Sequence, residues 1–174
     1  MQLVDEVDLR LIRCLQDNPR APYSSISRLT GVSETTVKRR VDSLIESRVI
    51  TTAVFPNPRK LGYDLQASVD VKVEPGYAES VALALREMPE IAFVAITLGR
   101  YDVRTYVVTQ SMRALTELVT DQIAQLPGVR ETETNVSARV FKAFANWRVP
   151  LDQLEQNSAS RDEDDDYYER ISAF

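Results

Sequence analysis

Two hydrophobic periods divide the chain. Between Val7 and Ile50 apolar residues recur every three or four positions, the spacing of amphipathic helices, whereas from Leu65 onward they alternate with polar ones, the spacing of half-buried strands. In the first region Val7, Leu11, Ile12 and Leu15 predict a helix, opened by Asp5 and Asp8 and ended by "DNPR", because Pro19 cannot extend the hydrogen-bond ladder. Pro22 opens a shorter second helix through Ile26 and Leu29, which Gly31 stops. Ser33 is placed to cap a third, with Glu34 at its positive end. On that helix Val37, Val41, Leu44 and Ile45 fall on one side; Thr35 and Arg39 lie nearly opposite, flanked by Thr36 and Lys38.

The stretch "VITTAVFPNPRKLGYD" has two prolines and a glycine, and it reads as a short strand followed by a linker. Leu65, Ala67, Val69, Val71 and Val73 then alternate with Gln66, Ser68, Asp70 and Lys72, which predicts a strand. Ala78, Val81, Ala82 and Leu85 predict a helix, Ile91 to Leu98 a strand, and Val103 to Thr109 its return after "GRYD". Ser111 caps a helix bearing Leu115, Leu118, Val119 and Ile123, and Thr132 to Val140 reads as the last strand. Strand, helix, strand, strand, helix, strand is the ferredoxin-like order, an antiparallel sheet with both helices on one face. Its other face is expected to be an apolar patch covered by a second copy, giving a homodimer.

Charge sharpens this picture. The net charge is −5 with no histidine, yet residues 1–60 carry 10 Lys+Arg against 7 Asp+Glu, residues 61–150 carry 9 against 11, and residues 151–174 carry 2 against 8. A basic front beside an acidic end suggests a module that faces nucleic acid. A short helix, a glycine turn and a helix polar and basic in its N-terminal half form a helix-turn-helix, which inserts that half into the major groove of double-stranded DNA. Ser33 would open it, Thr35 and Thr36 touch base edges, Arg39 fork onto a guanine, and Lys38 and Arg40 hold phosphates. Asp42 and Glu46 make the second half of that face acidic, so only the first half suits DNA.

Several short signatures in order, "VDEVDLRLIRCLQDNPRAPYSSISRLTGVSETTVKRRVDSLIESRVI", "NPRKLGY", "LGRYDVR" and "LPGVRETET", resemble the Lrp/AsnC, or feast/famine, family of transcription regulators over roughly residues 3–147. The resemblance implies an α+β protein with an N-terminal winged helix-turn-helix domain in residues 1–52 and a linker in residues 53–63. Residues 64–150 would form a ferredoxin-like βαββαβ domain for ligand sensing and oligomerisation, and an acidic tail, expected to be disordered, would follow in residues 151–174. It also implies homodimers that can extend to octamers, and a small-molecule effector, an amino acid or related metabolite. The family's effector loop maps onto Gly99, Arg100, Tyr101 and Asp102, and its threonines onto Thr132 and Thr134. Asp102 would take an ammonium and the threonines a carboxylate. Arg100 and Arg104 stand where the family is often neutral, which favours an acidic or less typical metabolite, or none. Read without the resemblance, "GRYD" is a polar hairpin turn in which Tyr101 covers the sheet edge.

Other classes find less support. There is no glycine-rich phosphate loop, metal-spaced Cys or His set or nucleophile motif, so no catalytic residue, metal or cofactor is expected. The enzyme alternative is a sirohaem decarboxylase, whose chemistry uses histidines that this chain lacks. A nucleoid-organising DNA wrapper is the other alternative. Cys14 reads as a small buried hydrophobe. No apolar run reaches bilayer length and the first residues are acidic, so a cytoplasmic protein without membrane contact is expected. The run Asp162 to Asp166 suggests three roles: a mimic of DNA phosphates, a weak cation site, or an arm folded on a neighbouring subunit.

Overall fold

The structure is a computed structural model that describes residues 4–142 and 147–149. The chain divides into two compact units. The first comprises the residues up to Val54 together with 147–149, and the second runs from Phe55 to Lys142.

The first unit is a bundle of α1 (Glu6–Asp17), α2 (Tyr23–Thr30) and α3 (Glu34–Glu46). Its helix ends follow from the residues expected to cap them. Asp5 accepts the Asp8 amide at 2.9 Å while Asp8 accepts the Asp5 amide at 3.2 Å, a reciprocal box at the start of α1. Gly31 closes α2 in the left-handed conformation at φ 77°, and Ser33 Oγ accepts the Thr36 amide at 3.2 Å to open α3. Leu11, Ile26, Val37 and Val41 form the core. The apolar stripe is narrower than the sequence suggests: Leu29 and Ile45 face solvent.

Residues 147–149 correct the expected boundary at residue 150. They pack within the first unit, where Val149 is buried beside Ile12 and Leu44. Gln16 holds them from both sides: its Oε1 accepts the Val149 amide at 3.1 Å, and its Nε2 donates to the Trp147 carbonyl at 3.2 Å. Arg13 donates to the Val149 carbonyl at 3.4 Å. The acidic tail, expected to be disordered, lies outside the described residues.

The short strand expected after α3 is not formed. Residues 50–57 have no regular structure, because the segment finds no strand partner and Pro56 and Pro58 lack the amide a ladder needs. A single 3₁₀ turn, Pro58–Leu61, follows, capped by Asn57 and closed by Gly62.

The second unit has the expected order: β1 (Leu65–Val73), α4 (Ala78–Arg86), β2 (Ile91–Ile96), β3 (Val103–Thr109), α5 (Met112–Glu117) and β4 (Val129–Val136). A π-helical turn and a 3₁₀ turn prolong α5 as far as Gln125. All strand pairs are antiparallel, in the order β2-β3-β1-β4. The helices cover one face, where Val69, Val71, Val103 and Val107 meet Val81, Leu85, Leu115, Leu118 and Ile123. Two strand ends differ from expectation for one reason, the reach of the partner strand. β2 stops at Ile96 opposite Val103, where β3 begins, and β4 stops at Val136 opposite Ala67, near the start of β1.

The open face corrects a further expectation. It is not a continuous apolar patch: Phe93, Tyr106 and Val108 share it toward β2, and its centre is charged. Paired residues share a face, so Asp70 with Arg104 and Glu133, and Lys72 with Glu131, stand opposite the helix-facing valines. Asp70 is buried beneath a two-bonded Arg104 guanidinium at 2.5 and 3.0 Å.

Candidate functional site

The exposed face of α3 carries the residues singled out for DNA. Thr35, Lys38 and Arg39 are solvent-exposed and line a shallow open depression with Asp42, Ser43 and Glu46. Thr36 is half-buried, its hydroxyl 2.9 Å from Ser33 Oγ, so the two act together in fixing the first turn. No ion pair holds Lys38 or Arg39 among the described residues. Their charges remain available at the helix's positive end, while Asp42 and Glu46 would repel phosphates further along.

Arg40 has a different role from the phosphate contact expected of it. Its Nη1 donates to Asp5 Oδ2 at 2.7 Å and Asp8 Oδ1 at 2.8 Å, tying α3 to the start of α1. Those bonds, to Asp8 and then Asp5, push its pKa above the ordinary value. Burial pushes the Asp5 carboxyl up, but the Asp8 amide and Arg40 together outweigh it and hold its pKa below the usual range. A position beside the apolar stripe turns the guanidinium inward, where two carboxylates hold its Nη1 and its buried Nε has no hydrogen-bond partner.

In the second unit the loop between β2 and β3 is built from its own backbone and threonine. Thr97 N–H donates to the Asp102 carbonyl at 2.8 Å, and Thr97 Oγ1 to the Tyr101 carbonyl at 2.9 Å. Tyr101 is buried, and its hydroxyl donates to Glu133 at 2.6 Å and Glu131 at 3.2 Å; the Glu133 bond above all pushes the phenol up to about 12. Arg100 stacks over the Tyr101 ring at 5.3 Å. Asp102 is not vacant: Val73 N–H and Lys72 Nζ bond it at 2.9 and 3.0 Å and hold its pKa below the usual carboxylate value. Gly99 has ordinary backbone geometry, and a Cβ there would meet nothing within 4 Å. Thr132 and Thr134 pair with Val71 and Val69, which places them on the helix-facing side. One chain therefore gathers Tyr101 and Asp102 with β1 and β4 on the open face but leaves both threonines on the other.

The AsnC-type helix-turn-helix domain is matched over residues 4–45, and the Lrp/AsnC ligand binding domain over residues 66–146. The HTH-type transcriptional regulator FL11 of Pyrococcus horikoshii is 37% identical over 141 residues, which cover 80% of this chain and 92% of the relative. The chain belongs to the Lrp/AsnC family. Among solved structures, AsnC of E. coli superposes with a TM-score of 0.76 at 24% identity, over 83% of this chain and 99% of that one. A feast or famine regulatory protein of M. tuberculosis complexed with L-methionine does so with a TM-score of 0.76 at 25% identity, over 85% and 100%.

As a member of the Lrp/AsnC family the chain is a transcriptional regulator with a DNA-binding helix-turn-helix and a ligand-binding domain, not a sirohaem decarboxylase. Among the described residues, no helix is long and apolar enough to cross a membrane. Sequence reasoning missed the residues that hold this Lrp/AsnC loop: Lys72, Glu131 and Glu133. Their signal was the polar half of the β1 alternation and the alternating glutamates of "RETET", which become a cluster once the register is known.

Proposed function

We propose that the first half of α3 enters the major groove of double-stranded DNA. Thr35 and Arg39 face base edges there, Lys38 holds a phosphate, and Ser33 and Thr36 fix the helix start. The observation that carries this reading is the exposed Lys38 and Arg39, without an ion-pair partner among the described residues, beside an Arg40 already claimed by Asp5 and Asp8. Footprinting on its own promoter region would yield an operator for competition binding. Arg39→Ala is expected to reduce discrimination between that operator and random duplex by about 1–3 kcal/mol. Arg40→Ala is expected to lower stability while leaving discrimination intact. Unchanged discrimination by the Arg39 variant would place the reading face elsewhere.

We further propose that the second unit pairs subunits and binds an amino acid or related metabolite at the Gly99–Asp102 loop. The L-methionine complex of the mycobacterial relative supports the ligand class. Because Thr132 and Thr134 face away from the loop, the site would combine the loop of one copy with the threonines of another. A ligand ammonium would compete with Lys72 for Asp102. Arg104 is neutralised by Asp70, which removes one of the two cations that favoured an acidic metabolite. In thermal-shift screening of amino acids, a true effector at about a hundred times its Kd stabilises by about 2.7 kcal/mol. Gly99→Val is expected to abolish that shift without changing ligand-free stability, since the added side chain meets open space. No shift with any amino acid at millimolar concentration would remove the effector from this reading.

A further inference from the structure

The first unit is completed by the segment that leads directly into the acidic end of the chain. Val149 sits against Leu44, on the inner side of α3. Val149 therefore lies about one helix thickness, 10–12 Å, across α3 and about 8 Å along its axis from the face carrying Lys38 and Arg39. The first acid of the tail's unbroken run, Asp162, lies 13 residues further along. Thirteen residues span at most about 45 Å, several times the distance required.

Charge selects where such a segment can rest. Residues 151–174 carry 8 Asp+Glu against 2 Lys+Arg, and Asp162, Glu163, Asp164, Asp165 and Asp166 are consecutive. On the first unit, Arg10 pairs with Glu6, Arg13 with Asp17, and Arg40 with Asp5 and Asp8. Lys38 and Arg39 have no such partner among the described residues; Arg20 and Arg28 have none either, but they stand singly, whereas Lys38 and Arg39 are adjacent cations in the N-terminal half of α3. Tethering also raises the local concentration of the tail to the millimolar range, so a weak attraction suffices to occupy the face.

We propose that the acidic tail docks on the Lys38 and Arg39 face of α3 and competes there with DNA phosphates, so that the regulator carries its own intramolecular inhibitor. This rests on α3 being the DNA-reading helix. The tail raises the threshold for binding any duplex, and an operator whose base contacts exceed that threshold displaces it. Every duplex loses the same factor in affinity, so weak, sequence-independent binding falls out of the working range while operator binding stays within it.

The test compares the full chain with a full-length variant carrying Asp162→Asn, Glu163→Gln, Asp164→Asn, Asp165→Asn and Asp166→Asn, on a duplex from its own promoter and on a random duplex. At about 50 mM salt the neutralised variant is expected to bind both roughly tenfold more tightly, with the gain shrinking toward 200 mM. With Lys38→Ala and Arg39→Ala added to both proteins, neutralising the tail is expected to change nothing. Equal affinity of the two proteins at low salt would overturn the proposal. So would an undiminished gain in the Lys38 and Arg39 double variant, because the tail would then act through overall charge. If neither protein bound any duplex, the DNA reading itself would fail, an outcome distinct from equal binding by both.

Discussion

Gly128→Ala is expected to destabilise the second unit by about 2–5 kcal/mol. Gly128 has φ 86°, where a side chain costs about 1–2 kcal/mol, and its Cβ would lie 2.2 Å from Tyr77 Cγ, 2.3 Å from Cδ1 and 2.6 Å from Cβ. The last contact involves the root of the tyrosine, which cannot swing away as a ring tip can. Tyr77 stands at the start of α4, and the Gly128 carbonyl accepts the Glu74 amide at 2.8 Å, so the clash is between the entrances to α4 and β4. Tyr77→Ala in the same chain removes two of the three contacts and should restore part of the loss, but not the backbone part. Far-UV circular dichroism through a urea titration measures the shift. An unchanged midpoint would show that Tyr77 does not pack on this glycine.

Leu11→Ala is expected to cost the first unit about 2–5 kcal/mol. Leu11 is fully buried among Ile26, Val37 and Val41, so its removal opens a cavity directly beneath α3. In a unit of this size such a loss is a large share of the total stability, and duplex binding should fall with the folded fraction. The two units can be followed separately. The only tryptophan, Trp147, belongs to the first, so its fluorescence should report the Leu11 variant's earlier unfolding and leave the Gly128 variant's unmarked. A Leu11→Ala protein with an unaltered fluorescence midpoint would mean that this cluster does not hold α3.

The contrast between what the residues announced and what they concealed has a physical basis. Caps at Asp5 and Ser33, the left-handed turn at Gly31 and the alternation of β1 are local, so their outcome can be read without the rest of the molecule. Arg40 looks like any basic residue on a helical wheel; only the approach of α1, more than thirty residues away in sequence, turns it from a phosphate ligand into a clamp. Alternation says that Asp70 and Arg104 leave the core side, but only the register of β1 against β3 says that they meet. The same register separates Thr132 and Thr134 from Tyr101, a division that the family's pattern does not reveal. The missing strand after α3 failed for lack of a partner, and three residues at 147–149 have no period to read.

That return of residues 147–149 bears on how the protein is made. The head that reads DNA is stitched from both extremities of the described chain, so its last stitch is placed only after the whole sheet has left the ribosome. The 95 residues from Phe55 to Val149 take about 5–20 s to add. Through that interval Ile12 and Leu44 lack their cover, and a nascent or prematurely terminated chain carries an unfinished head. The complete helix-turn-helix unit thus arrives only after the ligand-binding domain has been synthesised.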